Sequence, residues 1–514
     1  MDAKVTISHL RTARQQNRRI AAANRYDFRF NGVSMRHRIL FALLASALII
    51  SGLSCPSTKI EVGQEIKQVQ LTFEPRSHSL DNNDNFSPDD QWLVYDTRTP
   101  LPVPSVTEVG ANSNIEKVNV NTGEIVVLYE TENQTKYGPG VGAASYHPTE
   151  NKIVCMHGLL NCDAERPYWY WRRTGVMFDE SRPGKPIFLD ARDVTPPFTP
   201  GALRGGTHRH EWSTDGQWIG FTYNDAIMAQ IEKRTGVRVN LRTVGVSTSL
   251  RPVKVDKDPE GENNDGIWFS ALVVKVTPNP KPGSDEISRA FSDAWVGTNG
   301  YRKPDGGRQR ARAFLGKIRT KEAKELVEVF IVDIPDRIDV PGNDGSLEGT
   351  ETTMPMPPKG TKQRRLTYTE NRKYPGVVTE PRHWVRSSSD GSRISYLAKD
   401  DNGIVQVFLI SPLGGEPLQV THHNSPIQST VRWNPDGNEI CYVCDNSIYI
   451  CDVRDGPSFG RARRMTRRTN QPPLCPVWSH DGKTIAFSRF IPPEGVPKRT
   501  NGRKSYKQIF LLKL

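Results

Sequence analysis

The sequence predicts an all-β protein, a β-propeller of about seven blades, from a repeated turn, the spacing of that turn and the composition. In each repeat an aromatic or small residue leads into an Asp-Gly turn, which tolerates the positive φ of hairpins, and an apolar run follows. Gly391, Gly437 and Gly482 of three copies are 46 and 45 residues apart. That period matches a blade of four short strands. The 41 Gly and 38 Pro also fit a turn-rich β protein.

Copies of the repeat divide the chain into blades. The copies lie at residues 86–90, 212–216, 388–391, 433–437 and 478–482, with a decayed copy at 146–148. We predict blades near residues 83–130, 143–192, 206–246, 262–335, 380–421, 428–467 and 474–514 with 66–73. These make one propeller domain over residues 66–514, interrupted by long irregular stretches near 278–286 and 335–360 that cover or line a face. A short helix is the one helical pattern, near residues 284–294.

The end of the chain predicts how the ring closes. Residues 508–512 have the pattern of a third strand, and no fourth strand follows them. The strand near residues 66–73 resembles the strands that end other blades, such as 363–367 and 418–421. We therefore expect the N-terminal strand to complete the last blade, which protects the open edges of the sheet.

The N-terminal segment predicts export. Residues 1–34 are basic, and are either a disordered tail or an upstream extension from a misassigned start. Residues 35–55 have the order of a signal peptide: a charged start at Met35, an apolar run over residues 39–50 and small residues before Cys55. The apolar stretch is shorter than the roughly 20 residues that span a bilayer. Cys55 is either lipidated, as in a lipoprotein, or simply follows a cleavage site, so the protein is predicted to be periplasmic or membrane-anchored.

Charge and cysteines exclude other functions. The formal net charge is +12, but residues 1–39 alone hold nine Lys or Arg and two Asp. The remaining surface is only mildly basic, so no nucleic-acid partner is predicted. Cys441-x-x-Cys444 lies among apolar residues with no second such pair, which favours buried strand cysteines over a metal or redox site.

A candidate site surrounds His208 and His210. In an extended strand these two side chains would face the same way. His383 comes from another blade, and inner strands bring different blades to one axis. Three imidazoles with an amide or carboxylate could hold a divalent metal such as Mn, Fe, Ni or Zn. The alternative is that these histidines bond neighbouring blades or line a wet channel.

Cationic and aromatic residues add to this candidate site. Arg204, Arg382 and Arg386 are candidate catalytic groups, because guanidinium groups suit carboxylate or phosphate ligands. The aromatic residues 168–171 could stack on sugar rings or a peptide, or could simply alternate in a blade strand. No Gly-x-Ser-x-Gly elbow and no phosphate loop is present.

The repeat resembles that of TolB propellers, in which Trp-Ser-Pro-Asp-Gly opens each blade. Beyond the repeat, residues 203–208, 221–225, 282–287, 349–353, 381–386 and 400–406 are similar to the YidR family, TolB-like propellers without an established function. This chain differs from relatives in that family that have no export signal. More distantly, the chain resembles oligogalacturonate lyases, seven-bladed propellers with a metal held by His and Gln at the channel mouth. This resemblance implies Gln428, which opens a blade, as a fourth metal ligand.

Two functions follow as expectations. The first is a monomeric, exported binding scaffold whose ligand face lies at the channel mouth and takes a protein or an acidic saccharide. The alternative is a metal-dependent lyase or hydrolase that acts on acidic oligosaccharides, with a metal acidifying the proton next to a carboxylate and a basic side chain removing it.

Overall fold

The computed structural model describes residues 60–62, 66–81, 84–98, 109–492 and 505–514. They form a seven-bladed β-propeller, as the repeat predicts. The predicted N-terminal extension, the signal peptide and Cys55 lie outside the described residues. Within the described part, no helix is both long enough and apolar enough to cross a bilayer.

Each blade is an antiparallel sheet. In blades 2 to 6 the first strand along the chain is innermost, as is Leu474–Trp478 in blade 7. In blade 1 the innermost position is held by Ser79 and Phe86, which form isolated bridges to Asp96 and Leu93 of the strand Trp92–Asp96.

The strands of each blade are given from inside outward. Blades 1 to 3 consist of Trp92–Asp96, Asn114–Asn119 and Ile125–Glu130 (blade 1); Val141–Tyr146, Lys152–Gly158, Arg173–Asp179 and Ile187–Phe188 (blade 2); and Gly205–Trp212, Trp218–Asp225, Thr243–Thr248 and Phe269–Leu272 (blade 3).

Blades 4 and 5 consist of Arg289–Trp295, Ala311–Arg319, Glu325–Asp333 and Lys362–Arg365 (blade 4); and Arg386–Ser387, Ile394–Lys399, Val405–Ile410 and Leu418–Gln419 (blade 5). Blades 6 and 7 consist of Arg432–Trp433, Glu439–Cys444, Ser447–Asp452 and Ala462–Arg464 (blade 6); and Leu474–Trp478, Thr484–Ile491, Tyr506–Lys513 and Gln68–Gln70 (blade 7).

Two further pieces lie outside the regular blades. Ile60–Val62 pairs in parallel with Ala462–Arg464 at the edge of blade 6. A small hairpin, Tyr301–Arg302 with Arg308–Gln309, projects from blade 4 between its first two strands.

The ring closes as predicted. Gln68–Gln70 pairs with Tyr506–Lys513 in antiparallel register, with Gln68 opposite Leu512. The Thr72 hydroxyl extends the pairing by accepting from the Ile509 N–H at 2.9 Å. Gln68–Gln70 therefore supplies the outermost strand of blade 7 and covers the edge of Tyr506–Lys513.

The blade-opening turn is a small hydrogen-bond unit that explains why its letters recur. In blade 3 the Ser213 hydroxyl donates to Asp215 at 2.5 Å and accepts from the Trp218 N–H at 3.0 Å. The same bonds recur in blades 1, 5 and 7. Gly216 follows with φ +67°, a left-handed conformation that favours glycine.

Tryptophans of the repeat join neighbouring blades. The indole N–H of Trp295 in blade 4 donates to the Glu211 carbonyl of blade 3 at 3.0 Å. Trp478 of blade 7 donates in the same way to the Arg432 carbonyl of blade 6 at 3.2 Å. The apolar core lies between blades; in blades 5 and 6, for example, Leu397 and Val407 belong to one buried cluster with Tyr442. Each blade thus buries a face only against its neighbour.

Blades 3 and 4 differ from the predicted boundaries. The outer strand of blade 3 is Phe269–Leu272, beyond the predicted end at residue 246, and blade 4 runs from 289 to 365 rather than from 262 to 335. Long insertions separate the third and fourth strands of both blades. The outer strands were therefore assigned wrongly, because the prediction expected them close to the third strands along the chain. The predicted helix near 284–294 is wrong, because Arg289–Trp295 is the inner strand of blade 4.

The one α-helix among the described residues, Ala226–Thr235, follows the second strand of blade 3. Asp225 caps its N-terminus by accepting from the Met228 N–H at 2.8 Å, and Gly236 ends it with φ +73°. Met228 is buried against Phe221 and Tyr223, so the helix covers one end of blade 3.

The cysteines agree with the sequence-based interpretation. Cys441 and Cys444 are buried in a strand of blade 6. They and the other four described cysteines are free, with burial raising the pKa of the Cys441 and Cys444 thiols to about 12. Thiols with such raised pKa values are poor nucleophiles and ligands.

Candidate functional site

The inner strand of blade 3 contains a bulge at the predicted histidine pair. Its pairing with Trp218–Asp225 shifts register between His208 and Glu211, and Arg209 has φ +56°. Three other inner strands shift at the matching place, where Ala143, Ser292 and Cys475 have positive φ. The bulge is therefore a property of the propeller, and it breaks the alternation from which His208 and His210 were expected to face the same way.

His210 lies between blades 2 and 3. Its side chain is fully buried, with Nε2 3.4 Å from Asp190 Oδ2. Asp190 also accepts from the Gly175 N–H at 3.0 Å and the Ser247 hydroxyl at 2.8 Å. Burial acts to raise the pKa of the Asp190 carboxyl, but hydrogen bonding from His210 and these donors holds the pKa below its usual range. His210 belongs to the contact between blades, which was the alternative for this residue.

His208 lies instead in a cleft of about 820 Å³ formed by blades 3, 4 and 5. Its lining includes Arg289, which begins the inner strand of blade 4, and residues 379, 380, 382 and 383, which precede the inner strand of blade 5, so the cleft lies at the channel mouth opposite the blade-opening turns. Its ionisable lining is mostly basic: Arg238, Arg242, Arg289, Lys317 and Arg382 against Glu325 and Glu380. Lys317 is paired with Glu325 at 2.9 Å, which leaves four arginines facing one further carboxylate.

The imidazole of His208 is held neutral by its surroundings. Burial lowers its pKa well below the usual value, and the positive charges of Arg173, Arg242 and Arg382 lower it further. The ring is half-buried and lies 3.5 Å from the Thr222 hydroxyl. At neutral pH this cleft therefore presents an uncharged imidazole among cationic groups.

His383 also lines the cleft, but both of its ring nitrogens are engaged by backbone. Nδ1 lies 3.1 Å from the Pro381 carbonyl, and Nε2 lies 3.4 Å from the Leu397 N–H. The carbonyl can only accept, so Nδ1 carries the proton and Nε2 accepts. Burial lowers the pKa of His383 to about 4.

The four predicted metal donors are not brought together. Gln428 is exposed and pairs with Asn446, accepting from its N–H at 2.8 Å, and it does not line the cleft. His210 lies between blades and His383 is bonded to backbone. No group of three His, Cys, Asp or Glu side chains in the described part of the chain could hold a metal ion. As placed, these donors do not fit a metal centre.

Of the three predicted arginines, only Arg382 lies in the cleft, with its guanidinium 4.7 Å from the Trp384 ring centre. Arg204 is buried; it donates to Asp225 at 2.8 Å and to the carbonyls of Thr350 and Thr353. It therefore anchors the long insertion of blade 4 on blade 3.

Arg386 is part of a buried ion network towards the other end of the channel. It binds Glu211, which also accepts from Arg312 at 3.1 Å. Burial opposes ionisation, but the charges of Arg386 and Arg312 lower the pKa of Glu211 to about 2. These charges are mutually neutralised, which indicates a structural role.

Comparison with known proteins places the chain in a family. Residues 140–262 match a family described as a protein of unknown function, DUF3748. The chain is 40% identical to the uncharacterised protein YidR of Escherichia coli strain K12 over 430 residues, which are 82% of this chain and 95% of YidR. The chain belongs to the YidR family.

Solved structures with similar folds include an oligogalacturonate lyase in complex with manganese, at 12% identity, TM-score 0.46, covering 88% of this chain and 98% of that one. TolB from Acinetobacter baumannii is similar at 11% identity and TM-score 0.33, covering 74% of this chain and 67% of that one. Neither assigns a ligand or an activity to this YidR-family protein.

The aromatic residues 168–171 of this YidR-family chain are in a loop between two strands of blade 2, and the expectation of strand alternation is wrong. Tyr168 is buried, whereas Tyr170 is 46% exposed and lines the cleft. The ring of Trp169 lies 5.2 Å from that of Tyr170. Gly206 makes this packing possible, because a β-carbon there would lie 2.2 Å from the Tyr170 carbonyl oxygen.

Sequence reasoning missed the arginines that dominate the cleft of this YidR-family protein. Arg242 precedes the third strand of blade 3, and Arg289 begins the inner strand of blade 4. A correct assignment of residues 289–295 as an inner strand would have placed Arg289 at the channel mouth. No local signal marks Arg242, which becomes significant only beside Arg289 and Arg173.

Proposed function

We propose that this protein is an exported binding propeller whose cleft at the channel mouth takes an acidic saccharide. The observation that carries the proposal is the excess of arginine over carboxylate in a cleft of this size. A concave site of several hundred Å³ with convergent polar groups is the usual form of a ligand site.

The electrostatics of the cleft favour an anion. Burial, together with the charges of Arg173, Arg289 and Arg382, lowers the pKa of Arg242 to about 9. Clustered like charges in a partly desolvated site cost free energy that a bound anion would recover. His208 stays neutral, so it does not add to this repulsion.

The aromatic rim favours a saccharide over an acidic peptide. Tyr170 presents an exposed ring at the cleft, supported by Trp169. Such amphipathic rings contact the apolar face of a sugar while leaving its hydroxyl groups hydrated. Guanidinium groups bind carboxylates through paired hydrogen bonds, so rings bearing carboxylates match both features.

Calorimetric titration with acidic oligosaccharides, using neutral oligosaccharides of equal length and short poly-glutamate as comparisons, tests this proposal. We expect binding of the acidic saccharide, weakened by added salt, and about tenfold weaker binding for Arg382→Gln, which removes one charged contact. Arg302→Gln removes an equal charge from an exposed strand outside the cleft and should bind as wild type. Binding of poly-glutamate alone, or equal binding by both variants, would contradict the proposal.

A second candidate function is a lyase, and the neutral imidazole of His208 is the observation that favours it. A base that is unprotonated at neutral pH could remove the proton on the carbon next to a sugar carboxylate, while the C–O bond to the leaving oxygen breaks and a C=C bond forms. The unsaturated product absorbs ultraviolet light. Under this hypothesis His208→Ala binds the saccharide but forms no such product; wild type that forms none is a binding protein only.

A divalent metal is not part of the proposal, because the predicted donors do not converge. The test is elemental analysis of the purified protein together with thermal melts with and without EDTA. We expect no stoichiometric Mn, Fe, Ni or Zn and no effect of EDTA. A bound metal whose removal lowers the melting temperature would restore the metal-dependent enzyme.

Export is the part of the proposal that depends on the sequence alone. Mass spectrometry of the native protein should show removal of the segment before Cys55. An added acyl mass on Cys55 identifies a lipoprotein, and an intact Met1 in cytoplasmic material contradicts export.

A further inference from the structure

The cleft and its immediate surroundings contain buried arginine nitrogens without a hydrogen-bond partner among the described residues. Arg173 is 2% exposed, and its Nε and Nη2 make no hydrogen bond to any described residue. The same holds for the Nε atoms of Arg242 and Arg289. A buried donor left unpaired costs about 1–3 kcal/mol, and more when it is charged. Four such donors in and beside one cleft therefore indicate a ligand that accepts from them.

The three arginines come from three blades: Arg242 and Arg289 line the cleft, and Arg173 packs on Tyr170, which also lines it. Arg173 begins the third strand of blade 2, and its guanidinium lies 5.5 Å from the Tyr170 ring centre. The Ala290 N–H donates to the Arg242 carbonyl at 2.9 Å, so Arg289 follows directly along the wall of the cleft. The charges of Arg173 and Arg289 both act to lower the pKa of Arg242.

Nearby carboxylates do not neutralise this cluster. The charge of Asp293 acts to raise the pKa of Arg242, but the Asp293 carboxylate already accepts a hydrogen bond from Arg312 at 2.9 Å. Glu325 is paired with Lys317. Arg204 is bonded through all three of its nitrogens, to Asp225 and two carbonyls. Arg312 has an unpaired Nη1 but is bonded to Glu211 and Asp293, whereas Arg173, Arg242 and Arg289 have no carboxylate partner among the described residues. The contrast separates a binding cluster from structural ion pairs.

We propose that Arg173, Arg242 and Arg289 form an oxyanion pocket at the inner end of the cleft, which holds the carboxylate, sulfate or phosphate group of the bound ligand beside His208. This rests on the proposed function and deepens it, because it names the group that is recognised and the residues that recognise it. Tyr170 and Arg382 line the same cleft, so the ring that carries the acidic group would stack on Tyr170 with Arg382 available as a further cation.

The test uses the mature protein with sodium phosphate, sodium sulfate and sodium acetate, each against sodium chloride at equal ionic strength. We expect a saturable rise in melting temperature for at least one of these anions. Arg242→Gln should weaken the apparent affinity by about tenfold or more, because a charge-assisted hydrogen bond is lost. Without anion, Arg242→Gln should melt no lower than wild type, since it relieves the repulsion within the cluster.

Arg302→Gln is the matched control for loss of one positive charge, and Arg289→Gln repeats the test at the cleft surface in case the first variant folds poorly. The pocket is refuted if none of the three anions acts saturably, or if the response of Arg242→Gln and Arg289→Gln equals that of Arg302→Gln.

Competition shows whether the pocket belongs to the saccharide site. The acidic oligosaccharide should compete with the small anion, because both place an oxyanion on the same arginines. Simultaneous binding would overturn this placement. Saccharide binding without any small-anion effect would remove the pocket and leave the proposed function intact.

Discussion

His208 and His210 differ in role although one residue separates them. The bulge at Arg209 turns His208 into the cleft and His210 into the contact between blades 2 and 3. Arg209 accepts the left-handed backbone conformation, and its guanidinium lies 3.9 Å from the Trp384 ring centre. A non-glycine residue with positive φ is uncommon and is retained where the surrounding structure requires it.

This difference predicts opposite outcomes for the same substitution. His210→Ala should lower the free energy of unfolding by about 1–3 kcal/mol, because Asp190 loses a buried partner. His208→Ala should change it little, because the ring faces the cleft. Denaturant unfolding of both variants checks this. A larger loss for His208→Ala would reverse the assignment of the two histidines.

Among the elements, the blade-opening turn depends on close packing as well as on its hydrogen bonds. A β-carbon on Gly216 would lie 2.0 Å from His147 Nε2 of blade 2, so the turn of blade 3 fits against its neighbour only as glycine. Gly236, which ends the helix, has a similar φ of +73° but nothing within 4 Å of its β-carbon position. A comparison of the two glycines therefore distinguishes the cost of the left-handed backbone conformation from the cost of close packing.

Alanine at each glycine measures these two contributions. Gly236→Ala should cost about 1–2 kcal/mol, from the left-handed conformation alone. Gly216→Ala should cost clearly more, because the methyl group must displace the His147 ring. Thermal or denaturant unfolding of the pair is the measurement, and equal losses would show that His147 moves aside freely.

For the whole molecule, the junction of blades 7 and 1 contains an ionisable contact. Asp90 of blade 1 accepts from the N–H and Nδ1 of His480 in blade 7, both at 2.8 Å. This hydrogen bond raises the pKa of His480 above its usual value; Asp84 adds to the rise, and burial and the Arg432 charge oppose it. The contact joins the opening turns of blades 7 and 1, whereas Gln68–Gln70 closes the ring within blade 7 by hydrogen bonding to Tyr506–Lys513.

Because the pKa of His480 is raised in the folded protein, the stability of the junction between blades 7 and 1 should fall as the pH rises. The stabilisation is fully present below the ordinary histidine pKa of 6.5 and is lost as pH rises through the folded-state pKa. Wild type should therefore exceed His480→Ala in stability more at pH 5.5 than at pH 8.5. The contact is partly exposed, so salt should reduce the difference. A difference that grows with pH would contradict this sign.

The sequence predicts the features that depend on local or repeated patterns, and it misses those that depend on contacts between distant parts of the chain. The Ser-Asp-Gly turn, the 45-residue period and the unpaired last strand are local or repeated, and these patterns predicted the seven blades and the closure by residues 66–73. The outer strand of blade 3 was missed because an insertion separates Phe269–Leu272 from the preceding strand. Pairing across such an insertion depends on space left in the ring and not on local pattern.

By itself the sequence determined the architecture of this protein, because every blade repeats the same local signals and can bury its faces only in a ring. Only the tertiary structure decided the site. A bulge of one residue directs His210 away from the cleft, while Arg242 and Arg289 reach the cleft from two blades and Arg173 of a third blade packs on Tyr170 at its edge. Charge repulsion and desolvation act through space, so residues that no motif connects along the chain decide what the cleft can bind.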